Sequence, residues 1–177
     1  MISLILGGVK SGKSLLAENM IKQLEAQGKQ VLYIATADKQ YHDDEMKDRV
    51  AKHKAQRPSH WQTLEEPLDL SSVLIKYNSP NTCIMVDCLT LWITNHLDQK
   101  NEEWVETQRH FLDVLNQFTG DLIIVSNETN LGVTPMNALS RQFLDCAGIL
   151  HQGIAAIADS VTLCVAGIPL IIKGEEA

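Results

Sequence analysis

Five short apolar runs punctuate the chain: ISLIL (2–6), QVLYIA (30–35), TCIMVD (82–87), DLIIVS (121–126) and SVTLCV (160–165). Each is continuous rather than alternating, the pattern of a strand covered on both faces. Longer stretches with helical spacing lie between them and predict helices at 13–27, 43–56, 69–77, 88–98, 102–117 and 138–158. Gly28 closes the first of these, and Pro58 stops the second from continuing. Strands joined through helices pair in parallel, so the expected fold is a doubly wound α/β domain with a mostly parallel sheet and helices on both faces. A sixth run, GIPLIIK (167–173), follows the fifth too closely for a crossover helix. It predicts an antiparallel C-terminal edge strand with Gly167 in the turn.

At 177 residues the chain suits one domain, expected to span 1–177, and it contains no repeat, low-complexity tract or Pro/Gly/Ser linker. Fifteen Lys and Arg against 22 Asp and Glu give a net charge of −7. That balance lacks the electrostatic footprint of a nucleic-acid or anionic-membrane coat, so neither partner is expected. Cys83, Cys88, Cys146 and Cys164 form no CxxC pair and read as reduced, mostly buried thiols. The opening MISLILGG is too short in its apolar part for a signal peptide or membrane span, and the expected location is the cytoplasm.

Chemistry begins directly after the first run. Gly7-Gly8-Val9-Lys10-Ser11-Gly12-Lys13-Ser14 matches G-x4-G-K-[S/T] between a strand and a helix opening at Lys13, the setting a phosphate-binding P-loop requires. Glycines let successive N–H groups turn toward phosphate oxygens, and the helix N-terminus adds partial positive charge. Lys13 is expected on the β- and γ-phosphates and Ser14 on Mg²⁺. An acidic partner for that metal is expected at a neighbouring strand end, where Asp87 closes TCIMVD. The same position, just before Cys88-Leu89-Thr90, equally suits a helix N-cap.

A second candidate lies on the helix expected at 43–56, which opens with Asp43, Asp44 and Glu45 and ends in Lys52 and Lys54 before Arg57, as the helix dipole favours. Arg49, His53 and Arg57 line one face, with Met46 and Val50 nearby. Flanking cations disfavour imidazolium and leave a ring lone pair that can attack phosphorus. A packed, hydrogen-bonded histidine fits the same pattern. His42, His60, His96, His110 and His151 form no H-x3-H or HExxH spacing, so no structural zinc is expected.

In order along the chain, GGVKSGKS (7–14), YIATA (33–37), DDEMKDRVAKHKAQRPSHW (43–61), LEEP (64–67), VDCLTLWITN (86–95) and SNE (126–128) resemble one family. It is the bifunctional adenosylcobinamide kinase / adenosylcobinamide-phosphate guanylyltransferase of cobalamin biosynthesis. The likeness runs from about residue 2 to about residue 173, and E-M-x-x-R-[I/V]-x-x-H-x-x-x-R-P-x-x-W discriminates far better than the P-loop alone. The resemblance implies phosphorylation of the aminopropanol hydroxyl of adenosylcobinamide by ATP or GTP. It implies next that His53 attacks the α-phosphorus of GTP, expels pyrophosphate and carries GMP to adenosylcobinamide phosphate, giving adenosyl-GDP-cobinamide.

Besides the P-loop, the resemblance implies nucleotide contacts from Thr36, Ala37, Asp38, Lys54, Ala55, Gln56, Arg57, Glu65 and Asp87, and a homotrimer. Lys54 and Arg57 would neutralise the pyrophosphate leaving group, Glu65 would accept hydrogen bonds from ribose or guanine, and Ser14 and Asp87 would hold Mg²⁺. From the residues alone, Glu65 reads equally as a solvated loop acid, and Trp61 as a core anchor or a base-stacking ring. The chain departs from the family pattern at Thr129-Asn130-Leu131-Gly132, where Asn130 replaces a glycine, and at His151, which replaces an asparagine. Asn tolerates positive φ, so the turn is expected to survive. Two other classes remain open on the P-loop alone: a different small-molecule kinase, and a nucleotide-dependent switch with His53 packed in the core.

Overall fold

The computed structural model describes residues 1–38 and 58–174. The helix expected at 43–56, with His53, Lys54, Ala55, Gln56 and Arg57, lies outside the described residues. The elements are β1 (Ile2–Gly7), α1 (Lys13–Ala26), β2 (Gln30–Ala35), β3 (Gln62–Glu65), α2 (Leu70–Lys76), β4 (Thr82–Asp87), α3 (Leu89–Asn95), α4 (Asn101–Asn116), β5 (Asp121–Asn127), α5 (Ala138–Ile157), β6 (Ser160–Val165) and β7 (Ile168–Lys173). Among the described residues seven strands form one sheet in the order β3-β2-β4-β5-β1-β6-β7. Every pair is parallel except β6 with β7, whose antiparallel hairpin turns through Ala166 and Gly167 at φ 53° and 83°.

Alternation along the central strands divides the core. Leu4, Leu6, Ile84, Val86, Leu122 and Ile124 pack on one face with Trp92, Phe111 and Leu150 from α3, α4 and α5. Ile5, Met85, Ile123 and Val125 pack on the other with Ala17 and Ile21 of α1. Caps fix where two of the helices begin: Asp69 accepts the Ser72 N–H at α2, and Asn137 accepts that of Ser140 at α5. The doubly wound layers and the antiparallel edge strand agree with the sequence reading, and the limits of the five helices among the described residues differ by three residues at most.

Two elements depart from that reading. β3 is an additional strand, invisible to a search for apolar runs because QTLE is four residues long, polar and largely exposed at the sheet edge. β7 is apolar in sequence yet exposed at every position, with Ile168, Leu170 and Ile172 each more than half exposed. Among the described residues, none of its apolar side chains joins either core cluster.

At the opposite end of the sheet from the P-loop, Asp121 receives the Lys29 ammonium at 2.9 Å and the Met1 ammonium at 3.0 Å. Burial pushes its carboxyl upward, but the hydrogen bonds from Lys29 and the N-terminus outweigh it and hold the group below the usual carboxylate range. A depressed folded-state pKa contributes stability above the unfolded pKa, and that stability is lost as pH falls through the folded value. Asp121→Asn is therefore expected to cost about 1–2 kcal/mol in urea denaturation at neutral pH. The loss should shrink in acid; an equal loss at both pH values would contradict a charge origin.

Candidate active site

β1 ends at Gly7 because the chain must pass close beneath its own loop: a Cβ there would collide with Ser11 Oγ and lie 2.8 Å from the Cys164 carbonyl oxygen. Lys10 and Gly12 take positive φ of 57° and 96°, and Gly12 caps α1. The β6–β7 turn buttresses this curl from the side. A Cβ on Gly12 would sit 3.1 Å from Gly167 Cα, and the Gly167 N–H donates to the Ser11 carbonyl at 2.9 Å. Among the described residues no side chain caps the first turn of α1, and no acid occupies it, so its N–H groups and partial positive charge are available to an anion.

Lys13 Nζ donates to the Gly8 carbonyl at 2.9 Å across the loop. Burial pushes its ammonium below the usual lysine range, while Cys88 and then Asp87 act in the opposite direction. The β4 tip thus lies within electrostatic reach of the loop. Ser11 Oγ is buried with no hydrogen-bond partner among the described residues, an orphaned polar atom inside the curl.

Asp87 closes β4, and the Tyr33 hydroxyl donates to its Oδ2. The alternative reading of Asp87 as a cap does not hold, since Cys88 occupies the N-cap position of α3. Burial, with Asp87 adding to it, pushes the Cys88 thiol up to about 11, so it stays protonated at neutral pH. All four cysteines are free; Cys83 and Cys164 are buried and the other two half-buried.

Thr36 is fully buried, and each of its polar groups is committed within the protein. Its Oγ1 accepts the Cys88 N–H at 3.0 Å and donates to the Cys88 carbonyl at 2.6 Å; its N–H reaches the Asp87 carbonyl at 3.2 Å. Asn95 Nδ2 completes the set, donating to the Thr36 carbonyl at 2.8 Å and to that of Pro67 at 2.9 Å. Thr36 and Asn95 therefore hold the tips of β2 and β4 and the turn after β3 in register. Asn95→Asp, which puts a carboxylate against two carbonyl oxygens, should destabilise the protein more than Asn95→Ala, itself expected to cost about 1–2 kcal/mol. Equal denaturation midpoints for the two variants would contradict this.

Ala37 and Asp38 follow half-buried at the same edge. Glu65 is the last residue of β3, in register with Ala35, and so stands on a strand end rather than in a loop. Trp61 is 5% exposed, packs in the α1-side core and donates Nε1 to Glu25 Oε1 at 3.1 Å, which makes it a core anchor.

A further polar set, which nothing in the spacing announced, fixes the tip of β5. The Asn127 N–H donates to Thr90 Oγ1 at 2.9 Å, and the Glu128 N–H to the Gly7 carbonyl at 3.0 Å. Behind them buried His151 pairs Nε2 with Ser126 Oγ at 2.8 Å. Burial pushes this imidazole below its usual range, against a smaller opposing pull from Glu128, and keeps it neutral. Asn130 does not adopt the expected positive φ, since Lys10 and Ala166 are the non-glycine residues that do among those described. Instead its N–H donates to Glu128 Oε1 at 2.6 Å and its Nδ2 to the Leu144 carbonyl at 3.2 Å, so side-chain bonding replaces glycine geometry.

A strand, a glycine curl and an uncapped helix N-terminus at the C-terminal edge of a parallel sheet define a P-loop nucleotide-binding protein of the α/β class. Residues 3–172 match the family model described as cobinamide kinase / cobinamide phosphate guanyltransferase. The chain belongs to that family of enzymes. It is 48% identical over 176 residues to the bifunctional adenosylcobalamin biosynthesis protein CobP of Pseudomonas aeruginosa, covering 99% of each chain. It is 36% identical to the corresponding protein CobU of Salmonella typhimurium, covering 98% of this chain and all of that one. Among solved structures, the flagellar accessory protein FlaH of Methanocaldococcus jannaschii shares the fold with a TM-score of 0.55 at 13% identity, covering 98% of this chain and 78% of that one.

Proposed function

We propose that this chain carries out both reactions of its family at one P-loop: ATP or GTP phosphorylates adenosylcobinamide, and GMP then passes from GTP through His53 to adenosylcobinamide phosphate. The products are adenosyl-GDP-cobinamide and pyrophosphate. The observation that carries the reading is the family match over residues 3–172 together with the intact, anion-ready loop at Gly7 to Ser14.

In the first reaction the hydroxyl oxygen of the aminopropanol arm attacks the γ-phosphorus and the nucleoside diphosphate departs. Lys13 and the α1 N–H groups hold the phosphates and stabilise the charge that shifts to the leaving oxygen. In the second reaction a neutral His53 nitrogen attacks the α-phosphorus, and the bond to pyrophosphate breaks. The resulting phosphoramidate is then attacked by the corrinoid phosphate, which returns the imidazole. Lys54 and Arg57 are placed by sequence beside that nucleophile, where they would balance the pyrophosphate charge.

Mg²⁺ suits this site, since Ser14 and Asp87 supply a hydroxyl and a carboxylate, both hard oxygen donors, and Asp87 lies within electrostatic reach of the loop. Bound there, it would neutralise phosphate charge. Ala37, Asp38 and Glu65 stand at the sheet edge where the nucleoside would extend, and Thr36 acts by holding that edge in shape. We place the protein in the cytoplasm as one catalytic domain and expect a homotrimer, a reading favoured by the exposed apolar strand β7. No helix among the described residues is long and apolar enough to cross a membrane. Incubating purified protein with adenosylcobinamide, Mg²⁺ and GTP should yield first the phosphate and then the GDP conjugate. Nucleotide hydrolysis without a modified corrinoid would refute the reading, and a monomeric mass in light scattering would remove the trimer.

A further inference from the structure

Phosphorylating an alcohol requires that its proton leave as the oxygen attacks phosphorus, and none of the residues assigned so far receives it. The acceptor must approach the γ-phosphate at the C-terminal edge of the sheet, so among the described residues the candidates are the carboxylates at the strand tips. Adjacent strands lie about 4.8 Å apart. In the observed order the strand next to β1 is β5, with β4, β2 and β3 successively farther away. Glu128 therefore stands about one strand spacing from the P-loop strand, Asp87 about two, Asp38 about three and Glu65 about four. On the other flank β6 ends in Val165-Ala166-Gly167, which offers no base.

Glu128 is also held in place. Its N–H is bonded to the Gly7 carbonyl at 3.0 Å, at the root of the phosphate loop, and its Oε1 accepts the Asn130 N–H at 2.6 Å. Its Oε2 makes no hydrogen bond among the described residues. Asp87, by contrast, already accepts the Tyr33 hydroxyl and is the metal candidate.

The surroundings suit an acceptor rather than a nucleotide. One residue beyond Glu128 begins a cavity of about 340 Å³, lined by Thr129, Leu97, Pro135 and Phe143 among others. The loop that borders it exposes Leu131, Val133 and Met136 almost completely. An apolar pocket and rim beside a carboxylate fit a large amphiphilic molecule that presents one hydroxyl.

We propose that Glu128 is the general base of the phosphorylation step, taking the acceptor hydroxyl proton on Oε2, with the acceptor's apolar body against the 129–136 loop. As the oxygen–phosphorus bond forms, the O–H proton passes to the carboxylate. The bond from γ-phosphorus to the bridging oxygen breaks, and the nucleoside diphosphate leaves with that electron pair. The inference rests on the kinase half of the proposed function.

The test compares wild type, Glu128→Gln and Glu128→Asp in adenosylcobinamide phosphorylation and, separately, in covalent labelling of the enzyme by α-labelled GTP. Glu128→Gln should lower kcat for phosphorylation by about 10²-fold or more, leaving KM for nucleotide and the labelling rate unchanged. Glu128→Asp should recover part of the loss. A fully active Glu128→Gln would overturn the assignment, as would equal losses in both assays, which would mark a structural role. Wild type that labels with GTP but never phosphorylates the corrinoid would overturn the kinase reading and the base assignment with it.

Discussion

Lys13→Ala is expected to abolish corrinoid phosphorylation and guanylyl transfer together, each by about 10²–10³-fold or more, the scale of removing one preorganised charge-stabilising donor. Both reactions shift negative charge onto a phosphate oxygen as a bond breaks, and the described residues contain one P-loop to receive it. Without nucleotide, the Lys13 ammonium is partly desolvated and bonded to the Gly8 carbonyl. A cation whose folded-state pKa is lowered costs stability below that pKa, so removing it should leave the unliganded protein at least as stable as wild type. Lost activity in a protein that melts normally would therefore report on the site. Loss of one activity with full retention of the other, in rate assays at saturating nucleotide, would mean two nucleotide sites.

His53→Ala is expected to separate the reactions. Guanylyl transfer should fall by about 10⁴-fold or more, as removal of a covalent nucleophile does in other enzymes. Phosphorylation should continue near the wild-type rate, because the hydroxyl attacks the γ-phosphate directly and needs no histidine intermediate. Feeding the variant adenosylcobinamide and GTP should make adenosylcobinamide phosphate accumulate without the GDP conjugate. Continued formation of that conjugate would mean direct displacement, or another nucleophile.

Much of this architecture is written in the chain's hydrophobicity, and the exceptions have physical reasons. The inner strands announce themselves because apolar layers cover the sheet, with α1 on one side and α2 to α5 on the other, though in β6 only Val161 and Cys164 are buried. The terminal hairpin is legible from spacing alone. β3 is not, since its QTLE sequence lies exposed at an edge and the backbone register with β2 specifies it more than any apolar pattern does. The strand, turn and helix around Gly7 to Ser14 fall where the motif puts them, because this curl depends on close approach at Gly7 and positive φ at Gly12 that glycine permits.

The supporting shell was largely invisible. Asn95 and Thr36 tie three strand tips together, and His151 braces Ser126, through contacts between residues at least 25 positions apart that no local spacing encodes. Asn130 shows the limit of residue-type reasoning. Its tolerance of positive φ suggested a glycine-like turn, whereas the structure uses its side-chain amide to reach α5. His53 and its cationic neighbours lie outside the described residues, so the family match and the intact phosphate loop support their role.

In the proposed reaction one imidazole carries GMP between two substrates. Purified protein should be incubated with GTP and Mg²⁺ without corrinoid, digested, and mapped by mass spectrometry under mildly basic conditions, which preserve a phosphoramidate. A GMP adduct on His53 is expected, lost in acid and discharged when adenosylcobinamide phosphate is added. An adduct on Lys54 or any other residue, or full turnover with no adduct at all, would contradict it.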